Sequence, residues 1–185
     1  MYTISNYLRE LADLLDRVPL STIRSVVDEL VRAQREGRKI FLLGNGGSAA
    51  TASHIACDLA KGTATLGHRR LRVIALTDNV PLITAWANDT AYENAFAEQL
   101  RNLVEAGDVV IAISGSGNSP NVLRAVKVAR EAGARTIGLT GFSGGKLASM
   151  VDLPVVVPGR TIQHVEDVHL ALGHAIFHAL CQKLG

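Results

Sequence analysis

The N-terminal part of the chain repeats its apolar residues at intervals of three and four, which is the spacing of an amphipathic helix. The residues that carry the two stripes are Tyr7, Leu8, Leu11, Leu14, Leu15, Ile23, Val26, Val27, Leu30 and Val31. Pro19 separates the stripes and is expected to start the second helix, with Ser21 or Thr22 near its cap. Gly37 is expected to end it. The pattern therefore predicts a pair of helices over residues 1–37.

Beyond residue 37 the pattern changes to short apolar runs separated by helical stretches. The runs are residues 39–44, 71–76, 108–114, 135–141 and, more weakly, 152–158. The helical stretches are residues 48–61, 81–87, 92–105, 120–132 and 162–184. Strands that are apolar on both faces and alternate with helices are typical of a parallel sheet covered on both sides. We predict one α/β domain over 1–185, with its core at 38–160 and a C-terminal helix at 161–185.

Composition and charge exclude several classes of protein. With 48% hydrophobic and 19% charged residues, the 185-residue chain is not disordered. The net charge is +2 and only Arg69, Arg70 and Arg72 cluster, so we expect no nucleic-acid partner. The N-terminus has no cleavage-site pattern, and no apolar run approaches the ~20 residues of a membrane span, so we expect no membrane partner. Cys57 and Cys181 are expected to be buried thiols in a reducing compartment, which places the protein in the cytoplasm.

The aliphatic excess, with only 4% aromatic residues, suggests either helices packed on an aliphatic sheet or more buried surface than one subunit provides. The two N-terminal stripes lie outside the predicted α/β core. We therefore expect them to pack between subunits of an oligomer.

Two loops at the ends of predicted strands carry glycine and hydroxyl groups and open onto helices. The first is 44–48, GNGGS, and the second is 114–120, SGSGNSP. Glycines let the backbone approach a ligand, and a helix N-terminus attracts anions through its unpaired N–H groups. Ser48 would cap its helix or donate to an anion, and an ordinary strand–helix turn explains the first loop equally well. Together the two loops suggest one polar ligand that contacts both.

Two helices carry clustered histidines and carboxylates. His54 and Asp58 are four residues apart and share a face, as in a surface ion pair, half of a metal site or a catalytic couple. Four of the six histidines lie within fifteen residues of the last helix, beside Gln163, Glu166 and Asp167. Much of that helix is apolar and must be buried, and buried imidazoles and carboxylates need partners. This favours a functional site over a solvated face.

These motifs together resemble the sugar isomerase (SIS) family and, within it, the phosphoheptose isomerases. The matching segments are GNGGSAATASHIACDL (44–59), WANDTAYENAF (86–96), AISGSGNSPNV (112–122) and the histidine-bearing final helix. The resemblance implies a three-layer α/β/α sandwich with a five-stranded, parallel, flavodoxin-like sheet. It also implies a cytoplasmic homotetramer whose active sites lie between subunits and which needs no organic cofactor.

The resemblance also implies roles for individual residues. Ser114, Ser116 and Ser119 would hold the phosphate. Asn45, Gly46, Gly47 and Ser48 would lie against the sugar, and Asp89 would bind hydroxyls. Asp58 stands where the family has a glutamate base, one methylene longer. In the last helix, one alignment places Glu166 at a family glutamine and His174 at a family histidine, and another keeps Gln163 but loses the histidine. We prefer the first alignment, in which Glu166 also belongs to the substrate site.

Four side chains would then form a set of two imidazoles and two carboxylates, His54, Asp58, Glu166 and His174. Such a set suits one divalent metal per subunit, such as zinc. The expected reaction converts sedoheptulose 7-phosphate to D-glycero-D-manno-heptose 7-phosphate through an enediol, with Asp58 as the base and His174 moving protons between oxygens. The alternatives are an isomerase of another ketose phosphate and a non-catalytic module that binds a phosphosugar or a protein, such as a replication initiator.

Overall fold

The computed structural model describes residues 2–64, 67 and 69–185. The strands are β1 (Lys39–Gly44), β2 (Arg72–Ala75), β3 (Val109–Ser114), β4 (Arg135–Gly141) and β5 (Leu153–Val157). The α-helices are α1 (Ile4–Leu15), α2 (Leu20–Glu36), α3 (Gly47–Cys57), α4 (Val80–Asp89), α5 (Ala97–Leu103), α6 (Pro120–Glu131), α7 (Gly145–Met150) and α8 (Ile162–Leu184). A π-helical turn at Asp58–Gly62 follows α3, and a 3₁₀ turn at Tyr92–Asn94 precedes α5.

The five strands form one parallel sheet in the order β2-β1-β3-β4-β5. This order confirms the flavodoxin-like sheet. Strand β1 lies between β2 and β3, so the chain leaves β1 toward one edge and returns on its other side. Ligands in such sheets bind outside the carboxyl ends of the strands at this reversal. Fold topology therefore points to the loops after β1 and β3.

Alternate residues of the buried strands enter two separate apolar layers. Ile40, Leu42 and Ile111 face the layer formed with α1, α2, α3 and α8. Phe41, Leu43 and Val110 face the layer formed with α5, α6 and α7. Because the central strands β1 and β3 are covered on both faces, their residues are largely apolar. The three-layer α/β/α sandwich is confirmed.

The boundaries of several elements differ from the sequence pattern. Residues 92–105 are a 3₁₀ turn and a short helix instead of one helix, and α7 was not predicted. Pro19 itself is the N-cap of α2, so Ser21 and Thr22 lie inside the helix and do not cap it. Gly37 does end α2, in the left-handed conformation with φ of 69°. Within the described residues, no helix combines the length and apolar character required to cross a membrane.

The two N-terminal helices differ in what their apolar faces contact. The stripe of α2, including Val26 and Leu30, is buried in the chain's own core, so the expectation that it packs between subunits was wrong. On α1, Leu14 is buried, whereas Ile4 and Leu8 are exposed. Most of the exposed apolar surface of this pair therefore lies on α1, with Leu20 at the start of α2 as an addition.

The cysteines also differ from expectation. Both thiols are free, but Cys57 is exposed and Cys181 is partly exposed, so the prediction of two buried thiols was wrong. Their helices are buried on one face only, and the helical period turns Cys57 to the other.

Candidate active site

The loops after β1 and β3 meet at one cavity of about 180 Å³ at the carboxyl edge of the sheet. Since β1 and β3 are hydrogen-bonded neighbours, Gly44, the last residue of β1, is paired with Ile113, one residue before the end of β3. The cavity wall consists of Asn45, Ser48, Ile113, Ser114, Gly115, Ser116, Ser119, Ile162 and Glu166. The structure thus brings together all three serines of the second loop with Asn45, Ser48 and Glu166. Sequence reasoning had placed these in one substrate site.

The serine loop holds its hydroxyls toward the cavity through its own hydrogen bonds. The Oγ atoms of Ser114 and Ser119 are 3.1 Å apart. Ser116 Oγ accepts a hydrogen bond from the Asn118 backbone N–H, and the Gly117 N–H donates to the Ser114 carbonyl. Ser119 is the N-cap position of α6, yet its side chain does not cap the helix. Its hydroxyl therefore serves the loop and the cavity.

A third loop, Gly141–Lys146, joins the end of β4 to the start of α7 and supports the serine loop from behind. The Gly141 N–H donates to the Gly115 carbonyl, and the Leu147 N–H donates to the Gly117 carbonyl, each over 2.9 Å. A Cβ on Gly117 would lie 2.1 Å from the Gly144 carbonyl oxygen, and Gly117 has φ of +65°. The serine loop is therefore held by direct backbone packing that leaves no room for a side chain there.

The first loop, GNGGS, lies at an uncapped helix N-terminus. Gly46 is the N-cap of α3 and has φ of 55°, and no side chain caps this helix. Ser48 lies within the first turn, so it does not cap the helix, as one interpretation of the sequence had it. Two helices, α3 and α6, thus begin at the cavity, and neither has a side-chain cap from its N-cap residue. This arrangement attracts an anion.

Glu166 adds a carboxylate to this cavity. A Cβ on Gly47 would lie 2.5 Å from both Glu166 carboxylate oxygens, so the carboxylate rests directly over the Gly47 backbone. A negative charge is favoured at the N-terminus of α3. Gln163 is exposed and lies outside the cavity wall. The structure therefore favours the alignment that places Glu166, and not Gln163, in the site.

A second group of side chains lies further along α3 and α8. His54 and His174 bring their Nε2 atoms within 3.0 Å of each other. An Asp58 carboxylate oxygen lies 3.5 Å from the His54 Nε2 and 3.7 Å from the His174 Nε2. All three side chains are at least partly open to solvent. Asp58 begins the π-helical turn, a widened turn that is frequent at functional sites.

Glu166 does not join this group in the structure. Within the described chain, one ligand atom from each of His54, Asp58 and His174 lies within 4.8 Å of the others, and Glu166 is not among them. Eight residues of helix place Glu166 about 12 Å along α8 from His174. The structure therefore assembles three of the four predicted metal ligands.

Asp89 lies apart from the cavity wall. It is the last residue of α4, it is exposed, and it accepts a hydrogen bond from the Asn88 side chain over 2.8 Å. Its predicted contact with substrate hydroxyls stays a prediction.

Sequence reasoning missed two residues that touch Asn45. Tyr92 is exposed and donates to the Asn45 Oδ1 over 2.8 Å. Asn121, which is buried, pairs its amide with that of Asn45. Asn121 follows Pro120 in the helix start, and its type alone gave no signal.

His169, also missed, lies beneath the serine loop and its supporting loop. It is fully buried, and one ring nitrogen lies 3.1 Å from the Thr140 carbonyl oxygen at the end of β4. Burial lowers the pKa of His169 to about 4. Its imidazole is thus neutral at physiological pH and donates from Nε2, while Nδ1 has no partner among the described residues.

Comparison with known proteins agrees with this geometry. The SIS domain family matches residues 6–141. The phosphoheptose isomerase of Geotalea daltonii is 43% identical over 162 residues, which cover 88% of this chain and 82% of that protein. The phosphoheptose isomerase of Mycobacterium tuberculosis is 42% identical over 163 residues, covering 88% and 83%. The solved structure of the Neisseria gonorrhoeae phosphoheptose isomerase has a TM-score of 0.87 at 32% identity and covers 96% of each chain.

The chain therefore belongs to the SIS domain family and, within it, to the phosphoheptose isomerases.

Proposed function

We propose that the chain interconverts sedoheptulose 7-phosphate and D-glycero-D-manno-heptose 7-phosphate through an enediol. The observation that carries this proposal is that two unlike groups lie beside α3 and α8. The serine loop meets these helices at the cavity, and the group of His54, Asp58 and His174 lies further along them. The serine loop binds phosphate, and the group of His54, Asp58 and His174 moves protons. We take residues 1–185 as one SIS domain that acts in the cytoplasm, as the sequence predicts.

The distance between the two groups fits a seven-carbon substrate. Glu166 marks the phosphate end of α8 and His174 the other, about 12 Å apart along the helix. In an extended heptulose 7-phosphate, seven bonds join phosphorus to C2, and they span about 9 Å. The side chains at the two ends extend toward the substrate, and this accounts for the difference between the helix distance and the substrate length. A phosphate held by Ser114, Ser116 and Ser119 would thus place C1 and C2 near Asp58.

The proton transfers follow from the positions of the side chains. Asp58 removes a proton from C1 of the ketose, and the electron pair of that bond forms the C1–C2 double bond of the enediol. His174 protonates the C2 oxygen and removes a proton from the C1 oxygen. Returning the carbon proton to C2 completes the aldose. General acid–base catalysis of this kind contributes about 10²–10⁴-fold to the rate.

The same group of side chains fits a divalent metal ion. Two imidazole nitrogens and one carboxylate are the ligands of many catalytic zinc sites, which keep a fourth position open. His54, Asp58 and His174 would hold the ion, with Glu166 as a predicted fourth ligand that the structure does not bring near. Bound there, zinc would polarise the substrate carbonyl. We propose zinc on the chemistry of this donor set.

Assembly into a homotetramer with active sites between subunits is also proposed. The exposed apolar side chains of α1, Ile4 and Leu8, support this proposal. Light scattering on the purified protein tests it, and a Leu8→Glu variant should dissociate if α1 lies in an interface. A wild-type protein that stays monomeric at micromolar concentration would contradict the proposal.

The activity is tested by incubating purified protein with sedoheptulose 7-phosphate and, in parallel, with a five- and a six-carbon ketose phosphate. We expect conversion of the heptulose phosphate above the shorter ketose phosphates. Elemental analysis of the same sample tests whether zinc is bound. Turnover measured after chelation, and again after zinc is added back, tests whether the reaction depends on the metal. Binding of the heptulose phosphate without turnover by metal-replete protein would support the non-catalytic module and refute the isomerase.

A further inference from the structure

The side chain of Asn45, on the wall of the serine cavity, is held by two residues outside that wall. The Asn45 Nδ2 donates to the Asn121 Oδ1 over 2.9 Å, and the Asn121 Nδ2 donates back to the Asn45 Oδ1 over 2.8 Å. Such a pair keeps both hydrogen bonds if the oxygen and the nitrogen of both amides exchange places. A third contact is therefore needed to fix which position holds the oxygen.

The backbone of α6 supplies that contact. The Val122 N–H donates to the Asn121 Oδ1 over 3.0 Å. Turning the Asn121 amide over would place its NH₂ group against this N–H, two donors with no acceptor, at a side chain only 2% exposed. Burial makes such a mismatch costly. The orientation of Asn121 is therefore fixed, and that of Asn45 follows from it.

Tyr92 completes the arrangement. Its hydroxyl donates to the Asn45 Oδ1 over 2.8 Å, beside the bond from Asn121. An amide oxygen accepts two hydrogen bonds, and its NH₂ group donates two. Both acceptor positions of Asn45 are thus filled, and one N–H is used. The second N–H is what Asn45 has left for a ligand, since the described residues supply no acceptor for it.

We propose that Asn121 and Tyr92 are positioning residues that hold Asn45 as a hydrogen-bond donor toward a sugar oxygen of the phosphosugar. The proposal rests on the proposed function, which supplies the ligand. It makes the first loop selective for acceptor atoms, because Asn45 cannot offer its carbonyl oxygen to a ligand hydroxyl.

The first experiment compares two tyrosine variants. Tyr92→Phe removes one hydroxyl from an exposed side chain and should fold normally. Tyr2→Phe is the matched control, because its hydroxyl bonds to Glu10 on α1 instead. Calorimetry with sedoheptulose 7-phosphate should give about two- to fivefold weaker binding for Tyr92→Phe than for the control. Equal binding by the two variants would overturn the role of Tyr92.

The second experiment removes the Asn121 amide with Asn121→Leu, which adds no charge. We expect sedoheptulose 7-phosphate to bind about tenfold more weakly, while inorganic phosphate, held by the serines, binds within about threefold of wild type. A merely structural role would damage the loop and weaken both ligands alike, and that result would overturn the proposal, as would unchanged binding. If this variant does not fold, the Tyr92→Phe comparison decides.

A third measurement needs no ligand. In protein labelled with ¹⁵N at asparagine, the two Asn45 side-chain hydrogens should exchange with water at different rates, since only one is bonded to Asn121. Equal, fast exchange of both in wild-type protein would refute the fixed orientation. Protein that neither binds nor converts the heptulose phosphate would refute the proposed function, and this exchange measurement would still decide on the positioning.

Discussion

The two ends of the candidate site are built in different ways. At the serine end, backbone hydrogen bonds and glycines without room for a Cβ hold the loop against the Gly141–Lys146 loop. At the other end, His54, Asp58 and His174 meet only because α3 and α8 pack side by side, and all three are partly exposed. In the proposed function, backbone geometry would therefore set where phosphate binds, whereas helix packing would set where the proton transfers occur.

The largest expected effect is at the histidine end. Asp58→Ala should lower kcat by about 10³-fold, equivalent to about 4 kcal/mol of transition-state stabilisation. Binding of inorganic phosphate should not change, because the serine loop is untouched. Cys57→Ala, an exposed neighbour on α3, is the control and should keep full activity. An Asp58→Ala variant whose kcat is within tenfold of the wild-type value would show that Asp58 is not the base.

The next largest effect concerns the buried side chain of His169, which is tested by the pH dependence of the free energy of unfolding. Above about pH 6.5 His169 is neutral in both the folded and the unfolded chain, so it has no influence on pH dependence. As the pH falls, the unfolded chain takes up a proton near pH 6.5, whereas the folded protein does so only at about 4. The free energy of unfolding should therefore fall by about 1.4 kcal/mol per pH unit in this range, about 3 kcal/mol in all.

Urea unfolding between pH 7.5 and 4.5 measures this loss. His169→Gln keeps a donor for the Thr140 carbonyl but has no titrating group, so its curve should be flatter than that of wild type by that amount. The other histidines are present in both proteins and cancel in the difference. If the curves of the two proteins against pH are parallel, the His169 imidazole is not held buried and neutral in solution.

A glycine substitution tests the backbone packing itself. Gly117→Ala places a methyl group against the Gly144 carbonyl, so the two loops must separate. Gly133→Ala is the control, since Gly133 also has positive φ, +77°, but its Cβ would meet only the Ala106 methyl at 3.3 Å. We expect Gly117→Ala to be less stable than the control by about 2 kcal/mol and to bind phosphate more weakly. Equal stability and phosphate affinity would show that the loops yield easily.

The smallest effect concerns the carboxylate in the cavity. Glu166→Gln keeps the shape of the side chain and removes a negative charge that faces the bound phosphate. Phosphate should bind about fivefold more tightly, about 1 kcal/mol, and the gain should shrink as salt is added. Asp167→Asn is the control, because Asp167 accepts a hydrogen bond from Tyr7 outside the cavity. Weaker binding by Glu166→Gln would mean that the carboxylate holds the ligand.

The apolar pattern was sufficient to predict the sheet. The predicted run 39–44 and β1 coincide, as do 135–141 and β4, because a strand covered on both faces contains mainly apolar and few charged residues. The serine loop was also predicted, because its residues are contiguous and follow a strand. The pattern failed where helices are short or mixed, at residues 92–105 and at α7, whose six residues are too few to show a helical period.

Only the tertiary structure determined the contacts between residues that are far apart in the sequence. It placed Asn121 and Tyr92 on Asn45 and separated Glu166 from His174. It also buried the stripe of α2 inside the chain while leaving part of the stripe of α1 exposed. A sequence pattern reports which face of an element is apolar, but not which element covers it. By itself, the sequence was sufficient to predict the sheet and the serine loop, since each depends on neighbours within a few positions. The meeting of His54, Asp58 and His174 depends on the packing of α3 against α8. Packing determined how those residues are oriented, because orientation depends on partners that the chain brings in from elsewhere.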